Sequence, residues 1–594
     1  MSKDLKRSIV LFVISLIMVV VMMVFNIDNK LMWLLAYAIG AYEKAMEGIR
    51  LTLRDKSLNV EFLMILAAIG AAWIGYYSEG VILILIFSFS GILEEYSMNK
   101  AQTTLTSLLT LAPETAILLN GNQQKVVDAK SLKVGDLIRV PVGQQVAADG
   151  MVVFGSTHIN QATITGEFEP VFKKVGDEIF AGTMNVEGVI HVEVKKDPQD
   201  FLVSKMISFV EEAKNNKTLR QSAIEKFEAY YVYVVLVIAA MIMIFLSVYR
   251  GIVFLVVASP CALVASIAPG MLSAMSWGGQ HGVLIKGSKA LELVAKSEVM
   301  VFDKTGTITK GMPVVHHFVM SDAIDQQQLI NRVYAMESQS THPLAEVIVE
   351  YLKPRVSDFI EVEISEIAGK GVTYEDWKIG NFAFDKALVK IEENKGSSMV
   401  KVIYQNELLA YFYLQDTIRE DASSTLRKLK DMNIRTILLT GDHAQSVQSL
   451  STELSFDEVY TDLLPQDKAA IIEKLKKEYR CVTMIGDGIN DAPSLASADV
   501  GIAMGQASDI ALETSDIVFM NNKLSNAVSL LQVARQAQNI IKQNIIFSMS
   551  VLFILVVFNF AQSITLPLGV VFHEGSTILV ILNGLRLLWF RDKA

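Results

Sequence analysis

Long apolar runs alternate with polar stretches in a fixed grouping along the chain. Eight runs, at about residues 8–26, 30–47, 59–77, 79–97, 228–249, 251–276, 541–562 and 566–589, are long enough to be membrane-spanning helices. They fall as four, two and two, separated by two large polar inserts. The run at 30–47 is the most polar, because Glu43 and Glu47 interrupt it. The first run follows Met1-Ser-Lys-Asp-Leu-Lys-Arg7, a basic flank that a signal peptide would share. Its length and the lack of a small-residue cleavage site make it a membrane helix.

The pattern changes inside the inserts. Residues 101–200 carry short alternating runs such as Val134–Val140 and Val189–Val194, which predict a small β domain. Residues 290–525 alternate bare apolar strands with helical stretches, the pattern of a doubly wound parallel sheet. Three of those strands are Glu298–Phe302, Thr436–Thr440 and Cys481–Ile485. Residues 315–425 interrupt the sheet as an inserted domain, leaving 290–314 and 426–525 as its two parts. Membrane segments then occupy 1–100, 201–289 and 526–594.

Basic residues sort by side. Lys3, Lys6, Arg7, Arg50, Arg54, Lys56, Arg591 and Lys593 fall on one face, and the connection Tyr76–Gly80 on the other is acidic. This asymmetry places both termini and both inserts in the cytoplasm, with Arg250 the outer-side exception. Composition agrees: 52% hydrophobic residues, mean hydropathy +0.38 and still 20% charged residues fit membrane spans joined to soluble domains. A net charge of −10 argues against nucleic acid as a partner. The two cysteines, Cys261 and Cys481, imply no disulfide framework.

Candidate chemistry sits at strand ends. Asp303-Lys-Thr-Gly-Thr-Ile-Thr309 follows the first strand. An Asp there can be a turn cap, or a nucleophile that forms an aspartyl-phosphate beside a Gly turn offering N–H groups to phosphate. Thr440-Gly441-Asp442 follows a second strand, and Gly486-Asp487-Gly488-Ile489-Asn490-Asp491 a third. A parallel sheet gathers such ends on one edge. Phosphoryl transfer needs a nucleophile, Mg²⁺ and groups around the equatorial oxygens. Asp303, Asp487 and the Thr305 carbonyl offer hard oxygen ligands for Mg²⁺, and Thr440 and Lys468 offer contacts to the phosphoryl group.

Two membrane runs carry unusual polar residues. Ala258-Ser259-Pro260-Cys261-Ala262 places a helix-breaking Pro mid-span, which reads as a kink beside a structural Cys or as an ion site. His573-Glu574-Gly575-Ser576-Thr577 places ionisable groups in the last run, at membrane depth or at its interface. His573 and Thr577 share a helix face. Thiolate, imidazole and carboxylate together suit Zn²⁺, Co²⁺, Fe²⁺ or Ni²⁺ better than Mg²⁺ or Ca²⁺. Met271 and Met275 read as core filler.

The heptad, with the two acidic turns in that order, resembles the phosphorylation domain of P-type ATPases over nearly the whole chain. That resemblance implies eight membrane helices, a cytosolic β actuator domain, and a haloacid-dehalogenase-like phosphorylation domain. It also implies an inserted α+β nucleotide-binding domain, with ATP and Mg²⁺ as cofactors. Asp303 would be phosphorylated, with Thr440, Lys468 and Asp491 assisting and Gly441 and Asp442 near the nucleotide. Thr165-Gly166-Glu167 matches the actuator motif in which the Glu positions water, with Phe168 where the family usually has Ser. Glu337, His342, Gly369 and Gly371 resemble the nucleotide site of the heavy-metal subclass, although His342-Pro343 alone also suits a helix N-cap.

Ser259 and Cys261 with His573, Glu574 and Thr577 resemble the transport site of a branch associated with cobalt, iron, zinc and nickel export. The implied protein is an ATP-driven exporter of a divalent transition metal in a bacterial plasma membrane, acting as a monomer in the lipid bilayer. Alternatives are a copper or zinc/cadmium branch pump, a membrane-anchored phosphatase, a metal sensor, and a potassium-pump subunit.

Overall fold

A computed structural model describes the chain except residues 1–2, 28, 56–57, 107–112, 122, 162–169, 202, 206–217, 323, 341, 359–360, 368–369, 392–397, 443, 445–446, 448–449, 451–453, 488–490, 506–512 and 591–594. It divides into two compact units, Met1–Lys296 with Ser529–Ala594, and Ser297–Val528.

The first unit contains the long helices. Six described helical segments are long and apolar enough to cross a membrane, at Leu5–Val24, Tyr77–Asn99, Leu219–Phe245, Val248–Gln280, Asn526–Phe560 and Leu566–Trp589. The other two expected spans also form helices, one more polar and one shorter than these six. Helix Lys30–Asp55 forms but carries Glu43, Lys44, Glu47, Arg50, Arg54 and Asp55, too polar for an unaided span. Helix Val60–Trp73 has 14 residues, about 21 Å of rise against a hydrocarbon core of about 30 Å. Its Leu63, Met64, Ala67, Ala68 and Ala71 are buried among the other helices, so its apolar character serves packing.

The run at 251–276 is helical in pieces. Helix Val248–Val257 stops, Cys261–Val264 makes one turn from Pro260, and Ala268–Gln280 restarts with Pro269 in its first turn. Each Pro lacks the N–H that continuation needs. The last helix packs on this region backbone to backbone: a Cβ on Gly584 would lie 2.9 Å from the Gly270 nitrogen.

Arg250 explains its own exception to the charge rule. Its guanidinium donates to the carbonyls of Ile564 at 2.6 Å and Gln562 at 2.8 Å, capping the turn between the last two helices. The same unit holds the β domain, with strands in the order 123–128, 115–120, 137–140, 190–194, 150–154 and 178–179. Ile190–Val194 alternates buried and half-buried residues, as its sequence period requires.

The second unit is built on parallel strands ordered Ile517–Phe519, Val500–Met504, Val482–Gly486, Val299–Asp303, Arg435–Leu439 and Glu458–Tyr460. Val299–Asp303 is buried along its whole length between two neighbours, which is why its sequence is a bare apolar run. Asp303 pairs in register with Leu439, and Phe302 with Ile485. Register therefore brings Asp303, Thr440 and Gly486-Asp487 to one edge.

Strand Thr309–Met320 leaves that edge directly and pairs antiparallel with Glu407–Ile418. Ser398–Tyr404, Trp377–Gly380, Gly371–Tyr374 and Ser365–Ile367 extend this second sheet. Helices Gln326–Glu337 and Pro343–Leu352 share an apolar core with it.

Candidate functional site

The sheet edge is an acidic centre. Ligand atoms of Asp303, Asp487 and Asp491 lie within 4.8 Å of one another. Lys468, on helix Pro465–Glu478, donates to Asp303 and, at 2.8 Å, to Asp491. Burial, then Asp491, push the Asp303 carboxyl up to about 7 against the pull of Lys468. Burial and Asp491 likewise raise Asp487 to about 6. Burial draws the Lys468 ammonium down, but Asp303 and Asp491 outweigh it and hold it charged.

Three carboxylates crowd one ammonium, which leaves Asp303 and Asp487 hard to ionise without further positive charge, and all the ligands are hard oxygens. Both properties fit Mg²⁺. Gly306, at φ +70°, lies under Asp487, and a Cβ there would collide with that carboxylate. The loop is gripped from the far side by Arg419, which donates to the carbonyls of Gly306 at 2.7 Å and Thr307 at 2.8 Å. Asp442 pairs with Lys304, and the Thr440 hydroxyl accepts the Asp442 N–H at 3.1 Å. Gly441 lies next to the Leu463 carbonyl.

The inserted sheet holds a cavity of about 810 Å³ lined by Glu337, His342, Gly371, Asn381, Lys401 and their neighbours. His342 caps helix Pro343–Leu352, its ring accepting the Leu344 N–H, so the N-cap and cavity-lining readings both hold. Gly371 and Gly380 face each other in register at φ +136° and +137°, so neither position admits a side chain cheaply. Glu337 is 6% exposed, and burial, then Glu366, raise its carboxyl to about 7.

The third cluster is in the helical unit. Ligand atoms of Cys261, His573 and Glu574 lie within 4.8 Å of one another, with His573 Nε2 3.8 Å from Glu574 Oε1. Both those atoms are buried without a hydrogen-bond partner, so the pair fits a metal ion as ligand. Glu574 is 2% exposed, so it packs inside the helix bundle. Ser259 Oγ lies 3.0 Å from Cys261 Sγ. Thr577 turns its hydroxyl back to the His573 carbonyl at 3.4 Å. Ser90, on helix Tyr77–Thr106, lies beside the Glu574 carboxylate. Met271 and Met275 are buried filler.

Of the sequence-predicted residues, Thr165-Gly166-Glu167, Gly369 and Gly488–Asn490 lie outside the described residues. Sequence reasoning missed Asn381, Lys401, Arg419 and Ser90. The signal for Asn381 is Gly380 before it, a second glycine at a strand end opposite Gly371. Arg419 stands directly after the apolar strand Glu407–Ile418. Nothing local marks Lys401 or Ser90.

Residues 298–499 match the haloacid dehalogenase-like hydrolase family, and residues 110–211 match the P-type ATPase actuator domain. The chain is 44% identical over 588 residues to a zinc-transporting ATPase of Bacillus subtilis (strain 168), covering 95% of this chain and 92% of that one. It is 37% identical over 583 residues to a probable cobalt/nickel-exporting P-type ATPase of Mycolicibacterium smegmatis, covering 94% and 89%. It is 35% identical over 600 residues to a cadmium-transporting ATPase of Staphylococcus aureus, covering 96% and 82%. The crystal structure of a zinc-transporting PIB-type ATPase in the E2.Pi state superposes with a TM-score of 0.63 at 28% identity, over 98% of this chain and 100% of that one.

Two predictions follow from the cavity. Gly371→Ala forces a Cβ against the Ile379 carbonyl and strains φ +136°, at a cost of about 1–3 kcal/mol that scanning calorimetry should read as a lower unfolding midpoint. Glu337 keeps its proton to about pH 7 when folded, against an ordinary value of 4.5. The folded state thus binds more protons, and stability falls as pH rises through that window, by about 3 kcal/mol in all. Hydrogen exchange of strands 371–380 should show this slope, and Glu337→Gln should remove it.

Proposed function

The chain belongs to the metal-transporting P-type ATPases, exporting a divalent transition metal ion with ATP, and we propose that Asp303 and the Cys261–His573–Glu574 cluster are the two ends of its transport cycle. The observation that carries this reading is the convergence of those three ligands, with His573 Nε2 and Glu574 Oε1 unpartnered inside a membrane bundle. A buried pair of that kind is expensive unless it serves an ion.

At the energy-supplying end, ATP occupies the cavity of Glu337, His342, Gly371 and Asn381. An Asp303 carboxylate oxygen bonds to the γ-phosphorus as the bond to the ADP oxygen breaks. Lys468 aims Asp303 before attack and opposes the upward push of burial on its carboxyl, and then faces the phosphoryl oxygens. The Thr440 hydroxyl and the Gly441 N–H complete their surroundings. Asp491 keeps Lys468 in place. Asp303, Asp487 and the Thr305 carbonyl would hold Mg²⁺, which would supply positive charge to the transferring group. Glu167 orients the water that later cleaves the aspartyl-phosphate.

At the transport end, Cys261, His573 and Glu574 bind the ion, with Ser259 and Thr577 at its margin. One thiolate, one imidazole and one carboxylate favour Zn²⁺ over Cu(I), which prefers more sulfur. The 44% identical zinc transporter supports Zn²⁺ as the cargo. The cobalt/nickel relative, with the single sulfur of the cluster, supports Co²⁺ as the second reading. Basic flanks place the termini and both inserts in the cytoplasm. The protein works as a monomer.

Asp303→Asn should abolish phosphoenzyme formation from ATP, and metal transport with it. An acid-stable phosphoenzyme in that variant would overturn the assignment. ATPase activity of the purified protein across Zn²⁺, Co²⁺, Ni²⁺, Cd²⁺ and Cu(I) should peak with Zn²⁺; stimulation by Cu(I) alone would defeat the proposed site.

A further inference from the structure

Asn544 lies on helix Asn526–Phe560, which contributes no ligand to the Cys261–His573–Glu574 cluster. It is 2% exposed, and every hydrogen-bonding group of its side chain is engaged. The amide nitrogen donates to the Ser266 carbonyl at 3.3 Å and to the Val580 carbonyl at 3.2 Å. The amide oxygen accepts from Asn583 Nδ2 at 2.8 Å.

The two carbonyls belong to the two segments that carry the ligands. Ser266 follows Cys261 by five residues, in the broken stretch between Val264 and Ala268. Val580 follows Glu574 by six residues on helix Leu566–Leu585. Ser548, one turn beyond Asn544, places its hydroxyl 2.6 Å from the Asn544 carbonyl and 3.1 Å from that of Ala262, next to Cys261 itself. Ser266 Oγ reaches the Ala262 carbonyl at 2.7 Å and lies 3.2 Å from Ser548 Oγ.

We infer that Asn544 is a positioning residue that sets the separation between the thiol half and the imidazole–carboxylate half of the transport site, and so tunes which ion the site accepts. The inference rests on the reading of that cluster as the transport site. A group that only satisfied the broken helix would need bonds to the broken segment alone. Asn544 splits its two donors between both halves, and Asn583 fixes its plane so that the donors cannot exchange for the acceptor. Neither Asp, which has no donors, nor Ser, which has one, can make both bonds. Groups that orient metal ligands from behind commonly change metal affinity about 10–100-fold when removed.

The test uses the full-length protein with Co²⁺ as the probe. Three quantities are read: the thiolate-to-cobalt charge-transfer and ligand-field bands, the Co²⁺ and Zn²⁺ concentrations for half-maximal ATPase, and metal-free phosphorylation by inorganic phosphate as a measure of folded protein. Asn544→Ala should weaken the ligand-field bands and raise the half-maximal concentration about tenfold or more. Phosphorylation by inorganic phosphate should remain. Asn583→Ala, which leaves both Asn544 donors in place, should give a smaller shift of the same kind.

Unchanged bands and unchanged half-maximal concentrations in Asn544→Ala, with only turnover reduced, would overturn the inference. Should Asn544→Ala fail to accept phosphate, Asn583→Ala decides by the same bands. A wild-type protein with no charge-transfer band, or one whose band survives Cys261→Ala, would overturn the transport-site reading itself.

Discussion

Inside a bilayer, a backbone carbonyl without a partner costs several kcal/mol, and Pro260 and Pro269 interrupt the helix that would have satisfied several of them. The arrangement of the helical unit follows from that debt. Tyr231 donates to the Ala258 carbonyl at 2.9 Å, Ser266 to that of Ala262, and Asn544 to that of Ser266. Polar side chains from two other helices therefore have to stand beside the break. Gly584 and Gly270 let the last helix approach close enough to bring His573 and Glu574 to Cys261. The break that places a thiol at membrane depth also dictates which residues surround it.

The acidic centre solves the opposite problem. Its strand ends need no rescue, since the parallel ladder satisfies the backbone up to Asp303. The unsatisfied quantity there is charge. Asp491 and Asp487 raise the Asp303 carboxyl, and one Lys468 cannot neutralise all three. If this edge receives the nucleotide phosphates as proposed, a divalent cation bound there would relieve the repulsion among the carboxylates and the incoming phosphates together.

Legibility in the sequence tracked how local each signal is. Strand Val299–Asp303 was readable because burial on both faces leaves only apolar residues, and the polar residue ending it then stands out. Cys261 and His573 were readable because ionisable groups in apolar runs are costly. The length of the third expected span was less legible: Val60–Trp73 has 14 residues, and neighbouring helices cover its apolar positions. Lys401 was not readable, since register between its strand and Trp377–Gly380 brings it to the cavity. Asn544 gave no sign at all. An Asn in a helix facing other helices looks like any polar residue until its partners are known.

That last case bears on ion selectivity. Ligand identity alone, one sulfur, one imidazole and one carboxylate, admits several borderline divalent ions whose preferences differ mainly in coordination geometry. Relatives at 35–44% identity bear the names of zinc, cadmium, cobalt and nickel transporters. Discrimination among such ions has to come from how rigidly the ligands are spaced, because the ligand atoms do not differ enough in softness to supply it. If the cluster is the transport site, as proposed, the spacing of its halves would run through side chains that never touch the ion, with Asn544 bonded to both segments. Selectivity is then a property of the surrounding polar frame, and ligand motifs read by themselves should assign the class of ion while leaving the ion itself undetermined.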